Sequence, residues 1–163
     1  MTILNKKGIT IVELLIYLGL ATIMLVVLSE LFVSILDEST KTQNYSAVQT
    51  DGRYIMARLK YGINNADSIT VPASLGETSA ELTTTVGSTQ FHYYVNGDKF
   101  YLNDGTGDYL ISNLDTKITE LEFVRQGNTD GKPMISVSFK AASSVSGTAQ
   151  YESQTFVGAG GLR

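Results

Sequence analysis

The sequence predicts an α+β protein in which a long N-terminal helix, its first half able to span a membrane, packs its second half on an antiparallel β-sheet. Three observations carry this. Ile9–Leu28 is apolar apart from Glu13, with Thr10, Tyr17 and Thr22 as its mildly polar members. Tyr45, Val48, Ile55, Leu59 and Ile63 then recur at helical spacings, the mark of a face that packs on a core. From Ser68 onward the chain is rich in Thr, Ser and Gly, with short alternating runs separated by turn residues.

At about 1.5 Å rise per residue, Ile9–Leu28 makes a helix of about 30 Å, the thickness of a bilayer's hydrocarbon core. Its lipid-facing side chains are Ile9, Leu14, Leu15, Ile16, Leu18, Leu20, Ile23, Leu25, Val26, Val27 and Leu28. Lys6 and Lys7 stand before the run. Basic residues beside a span resist translocation, so the expected topology is a single pass through the cytoplasmic membrane with the N-terminus inside. An ordinary secretory signal is cut at small residues after its apolar part, but Ser29-Glu30-Leu31-Phe32 follows here. A cut before the run, between Gly8 and Ile9, fits better, because glycine lets a protease approach the backbone closely. An uncleaved signal anchor has the same topology.

Glu13 separates the two. An acidic side chain costs roughly 2.5–3.5 kcal/mol at mid-bilayer and less near the edge, and its usual reason is a partner. After a cut at Gly8, Ile9 would carry a free α-amine one helical turn away, and the macrodipole's positive end favours a carboxylate there. Glu13 could then balance its own terminus or that of an adjacent subunit, a use that a signal anchor lacks.

Gly8-Ile9-Thr10-Ile11-Val12-Glu13-Leu14-Leu15-Ile16 resembles the class III signal of the type IV pilin and type II secretion pseudopilin superfamily. The resemblance implies cleavage after Gly8 by a prepilin peptidase, N-methylation at Ile9 and a role for Glu13 in assembly. It departs from the common pattern in having Ile for the first mature Phe, and in lacking the proline that kinks many major pilins, since Pro72 and Pro133 are the only prolines. Both the missing proline and a narrower likeness point to a minor subunit. Gln49–Leu59, Ala66–Ile69 and the closing Phe156–Arg163 look like the J group of minor pseudopilins.

Beyond the membrane the helix has no breaker before Gly52, which lies in line with the apolar stripe and marks either a close strand crossing or a break. Asp51, Arg53, Arg58 and Lys60 take other faces, and Gly62-Ile63-Asn64-Asn65 reads as the end. From Ile9 to Asn64 an unbroken helix would measure about 85 Å. Strands are expected at Ser68–Val71, Glu81–Val86, Gln90–Val95, Lys99–Leu102, Tyr109–Ser112, Lys117–Arg125, Met134–Lys140 and Tyr151–Val157, with Ala73–Ser79 as loop. Asn96-Gly97 is a hairpin signal, since both residues tolerate positive φ. Asp104-Gly105-Thr106-Gly107 is a second turn, and Asn128–Pro133 a third. Ile118, Leu121 and Phe123 alternate imperfectly, whereas Ile135, Val137 and Phe139 keep strict period two.

With 163 residues there is room for a leader (1–8), a spine helix (9–36) and one extracytoplasmic domain (37–163) that begins with helix to about residue 65. Loss of the leader lowers Lys plus Arg from 12 to 10 against 16 Asp plus Glu, and no basic run of nucleic-acid-binding density occurs. There is no cysteine, so packing and backbone pairing alone must hold the outer domain. The single histidine, His92, lies between Phe91 and Tyr93 on a strand, where an ordinary strand role is expected. No nucleophile elbow, paired carboxylates or P-loop lysine suggests an enzyme. No cofactor is expected. Asp104 and Asp108 in Asn103–Asp108 offer oxygens in a turn, as calcium requires, but without a downstream acid at EF-hand spacing. Tyr93, Tyr94 and Tyr101 suit cross-strand packing or, as the weaker alternative, an exposed patch for a partner.

The expected protein is therefore a structural subunit of a pilus or pseudopilus-like filament at the cell envelope or surface. Its expected partners are other pilin subunits, the prepilin peptidase and the membrane. The alternative is a signal-anchored extracytoplasmic binding domain that never polymerises.

Overall fold

Helix α1 runs unbroken from Ile11 to Asn64. The structure, a computed structural model, describes residues 9–127, 131–144 and 153–162. The chain falls into two units, one ending at Thr40 and one beginning at Lys41.

In the first unit α1 starts on a side-chain cap. The amide of Glu13 donates to Thr10 Oγ1 at 3.2 Å and that of Leu14 to the Thr10 carbonyl at 3.1 Å. The Glu13 amide is one that the helix itself leaves without an acceptor, and the Leu14 bond is the first regular turn of the helix. Hydroxyls within the apolar run turn back onto the helix: Thr22 Oγ1 donates to the carbonyls of Leu18 and Gly19 at 2.7 and 3.0 Å, and Ser29 Oγ to that of Leu25 at 2.8 Å. This helix is long and apolar enough to cross a membrane.

In the second unit, the later part of α1 buries Val48, Gly52, Ile55, Met56, Leu59 and Ile63 against strands. The stripe begins at Val48 and not, as expected, at Tyr45, which stays 45% exposed. Tyr45 lies one turn before Val48, the first buried residue of the stripe.

The expected sheet is two antiparallel sheets. The first has the order β1 (Ser68–Val71), β3 (Leu82–Val86), β4 (Thr89–Asn96), β5 (Lys99–Asn103), β6 (Asp108–Leu110). The second has the order β2 (Thr78–Ser79), β7 (Thr116–Gln126), β8 (Met134–Ser143), β9 (Ser153–Gly161). Their inner faces and α1 share one core, with Tyr93, Phe100, Phe123, Phe139 and Leu82 at its centre.

Four local expectations need correction. The β4–β5 turn is Gly97-Asp98, both at positive φ, with Asn96 paired to Lys99. A turn one residue earlier would set Val95 against Asp98 and place a carboxylate on the core face, and such a slip reverses every side chain. Ala73–Ser79 contains β2, which pairs Thr78 and Ser79 with Val124 and Phe123. The strand expected at Tyr109–Ser112 is Asp108–Leu110, because Ser112 turns inward and its Oγ accepts the Phe100 amide at 3.0 Å. The last strand runs on to Gly161; Tyr151 lies outside the described residues.

Gly52 is the close crossing and not the break. A Cβ there would strike the Phe156 ring, which stacks on Phe139 at 5.3 Å between centroids. On β9, a Cβ at Gly158 would lie 2.5 Å from Met56 Sδ, and one at Gly160 would lie 3.0 Å from Ile63 Cγ2. Large side chains of each element thus lie directly on the backbone of the other, as only glycine permits. The uneven spacing in β7 has its cause in a bulge between Thr119 and Glu122, with Glu120 at φ 54, which returns both Ile118 and Phe123 to the core.

A fragment starting near Asp37 is expected to fold as a monomer with mixed helix and strand by circular dichroism, unchanged by reductant. Within it, Gly52→Leu or Gly158→Val should destabilise by at least the ~1–3 kcal/mol typical of overpacking, read as a lower urea midpoint. Wild-type midpoints in both would refute the backbone-contact account of this packing.

Candidate functional site

Lys6, Lys7 and Gly8 lie outside the described residues, and Ile9 stands just before the helix. The expected lipid-facing side chains from Leu14 to Leu28 all sit on α1 and are between 50 and 67% exposed. A continuous exposed apolar surface of this size is the kind that marks a membrane or protein contact.

Glu13 differs from its surroundings. It is the only half-buried residue in Ile9–Thr40, because neighbours on its own helix enclose it. Its amide is held by Thr10, and its Oε1 accepts the Tyr17 hydroxyl at 3.0 Å. Thr10 and Glu13 have the spacing of a capping box, in which a carboxylate at the third helical position also meets the positive end of the helix. Tyr17 is four residues on, so it shares a face with Glu13 and leans back towards it. The sequence reading missed both partners. The T-x-x-E spacing was visible, but it stands inside an apolar run, where only the charge drew notice.

A second polar cluster lies on the outer face of the five-stranded sheet. His92 stacks on Tyr94 at 4.8 Å and Tyr94 on Tyr101 at 5.8 Å between ring centroids. Tyr94 and Tyr101 are direct cross-strand partners, whereas Tyr93 is buried in the core. His92 Nε2 lies 2.9 Å from Glu81 Oε2. Asn103 Nδ2 donates to Asp108 Oδ1 at 2.7 Å, and this bond, followed by one from the Tyr94 hydroxyl, holds the Asp108 carboxyl below the usual range. The same tyrosine bond raises Tyr94, so the phenol stays a donor. Asp104 is lowered by the Thr106 hydroxyl and amide, at 2.6 and 2.9 Å from Oδ1. The two turn carboxylates thus serve different neighbours. Among the described residues no three His, Asp or Glu side chains converge as a metal would need.

A cleft of about 200 Å³ beside the end of α1 is lined by Arg58, Tyr61, Gly62, Asn65, Val86, Phe91 and Tyr93. It holds no nucleophile paired with a base. Compared with known proteins, the chain matches no family model, no curated protein and no solved structure.

Because hydrogen bonds to its ionised form lower Asp108 in the fold, the stability it contributes is present above the ordinary carboxylate value of about 3.9 and is lost as pH falls through the lower folded value. Carbonyl NMR of the fragment should show Asp104 and Asp108 titrating below that value. Asp108→Ala should bring the Tyr94 midpoint back down towards about 10. An unmoved Tyr94 would remove Asp108 as the cause.

Proposed function

We propose that this chain is a structural subunit, of the minor kind, of a type IV pilus or type II secretion pseudopilus-like filament. In this reading a prepilin peptidase removes residues 1–8 and methylates Ile9. The observation that carries it is the joining of an exposed apolar helix, marked by a carboxylate in its first turn, to a glycine-packed α+β unit. An apolar helix can leave lipid only for an equally apolar setting, and a bundle of like helices supplies one. Van der Waals packing, not a hydrophobic gain, would then hold the bundle. Glu13 would pair with a neighbouring subunit's amine and set the register. In this reading the chain acts by assembly and not by catalysis, and its likeness to the J group supports a minor subunit.

One observation favours the signal anchor. Thr10 and Tyr17 give Glu13 partners within its own helix, so the carboxylate has a local reason to be there.

Two measurements decide between them. N-terminal sequencing of the exported protein should return a chain starting at Ile9, and Gly8→Leu should leave the leader attached; a chain starting at Ile9 from Gly8→Leu would dismiss the peptidase. Glu13→Leu should still be cleaved and stay in the membrane, yet be lost from sheared filaments. Removing one member of a buried charge pair costs ~3–5 kcal/mol. Unimpaired assembly of Glu13→Leu as the sole pilin would remove Glu13 from assembly, and absence of the wild-type chain from filaments would favour the anchor.

A further inference from the structure

We infer that Tyr17 is a positioning residue for Glu13: its hydroxyl fixes one carboxylate oxygen and leaves the other to receive a cation from outside the chain. The inference rests on the filament reading for what that cation is, the terminal amine of an adjacent copy, but the contact itself does not depend on it.

From Ile9 to Leu28 the polar side chains are Thr10, Glu13, Tyr17 and Thr22. Thr22 is occupied by the carbonyls one turn back, and Thr10 by the Glu13 amide. Tyr17 alone directs its polar atom to a side chain, with its hydroxyl 3.0 Å from Glu13 Oε1. Among the described residues no basic side chain pairs with that carboxylate and no other side-chain donor reaches it.

Geometry makes the pair selective. A free glutamate carboxylate explores three side-chain torsions. The residue four positions later on a helix lies over it, because side chains lean towards the N-terminus. A tyrosine there has a rigid ring long enough to set a donor beside the carboxylate, and phenylalanine has the ring without the donor. Anchoring Oε1 stops the carboxylate from swinging along the helix and leaves Oε2 open to a second donor. Among the described residues it also leaves the charge without a counter-cation. A phenol lowers the cost of a carboxylate in lipid, and only a cation can neutralise it. The helix is thus tolerable alone and better in company. Pairing with an amine on the second oxygen needs no loss of the tyrosine bond, since an ionised carboxylate accepts at both oxygens.

The experiment has two arms on the full chain. In lipid bilayers, with carbon-13 in Glu and Tyr, the Glu13 carboxyl and the Tyr17 Cζ should give a through-space correlation, and Glu13→Leu should move the Tyr17 Cζ resonance. In cells, Tyr17→Phe should leave the membrane pool intact and lower the protein in sheared filaments about three- to tenfold, the range expected of one polar contact in lipid. Added to Glu13→Leu, Tyr17→Phe should change filament content less than twofold, because the carboxylate it positions is gone. Absence of the correlation would overturn the inference, as would full assembly of Tyr17→Phe. So would an equal loss in both backgrounds, which would mean ring packing. If the wild-type chain enters no filament, the filament reading fails and the bilayer correlation alone decides whether Tyr17 holds Glu13.

Discussion

The outer unit depends on the close approach of α1 to β9. With no cysteine in the chain, nothing covalent fixes helix to sheet. What fixes them is a set of absent side chains. Gly52 on the helix receives the Phe156 ring, and Gly158 and Gly160 on the strand receive Met56 and Ile63. Removing a β-carbon at each point brings large side chains of one element against the backbone of the other, with the dense contact that protein interiors require. The phenyl groups of Phe139 and Phe156 then stack beside the crossing, and the core fills outward to Phe123, Phe100 and Tyr93. Glycine weakens an isolated helix or strand by ~0.5–1 kcal/mol. Here that local cost is offset by packing that no larger residue could reach.

This explains what was legible in the sequence and what was not. Period-two and helical spacings report burial on a face, so α1 and most of the five-stranded sheet could be read to within a residue or two at each end, and β8 to within three. Glycine carries no such signal. Gly158, Gly160 and Gly161 lie beyond the strand expected to end at Val157, whereas they extend β9, and Gly52 could be read as a break or a crossing. The β4–β5 turn slipped by one residue because Asn96 and Asp98 are both good turn formers on either side of Gly97. Only the long-range demand that Val95 face Phe100 selects between them. Division into two sheets was hidden for the same reason, since β2 is two residues long and exists only through its pairing with β7.

At the candidate site, the charge on Glu13 was conspicuous and its partners were not. A carboxylate in an apolar run invites a search for an external counter-ion, and that search passes over the residues three before and four after it. The structure changes the question. Glu13 does not need a neighbour in order to exist in this helix, since Thr10 and Tyr17 already reduce what its burial costs. The physical case for assembly therefore cannot rest on the carboxylate being intolerable alone. It rests on an asymmetry: hydrogen bonds from neutral donors stabilise a charge, and they do not cancel it.

In the proposed filament, that asymmetry would give one sequence two stable settings. In lipid, a helix whose hydroxyls bond within the helix and whose carboxylate bonds to its own tyrosine leaves one carboxylate oxygen as its main polar exposure to the acyl chains. Among like helices the same surface exchanges lipid for packing at little gain, since acyl chains are as apolar as leucine. Apolar contact alone would then leave the helices free to slide and to choose any register. A single uncompensated charge near one end changes this, because only one alignment brings a cation to it. Specificity would come from Glu13, adhesion from the many leucines, isoleucines and valines around it, and reversibility from the fact that each state satisfies its own polar groups. The leader end and the glycine-packed unit would then have separate tasks, the first choosing how subunits align and the second choosing what the assembled surface presents.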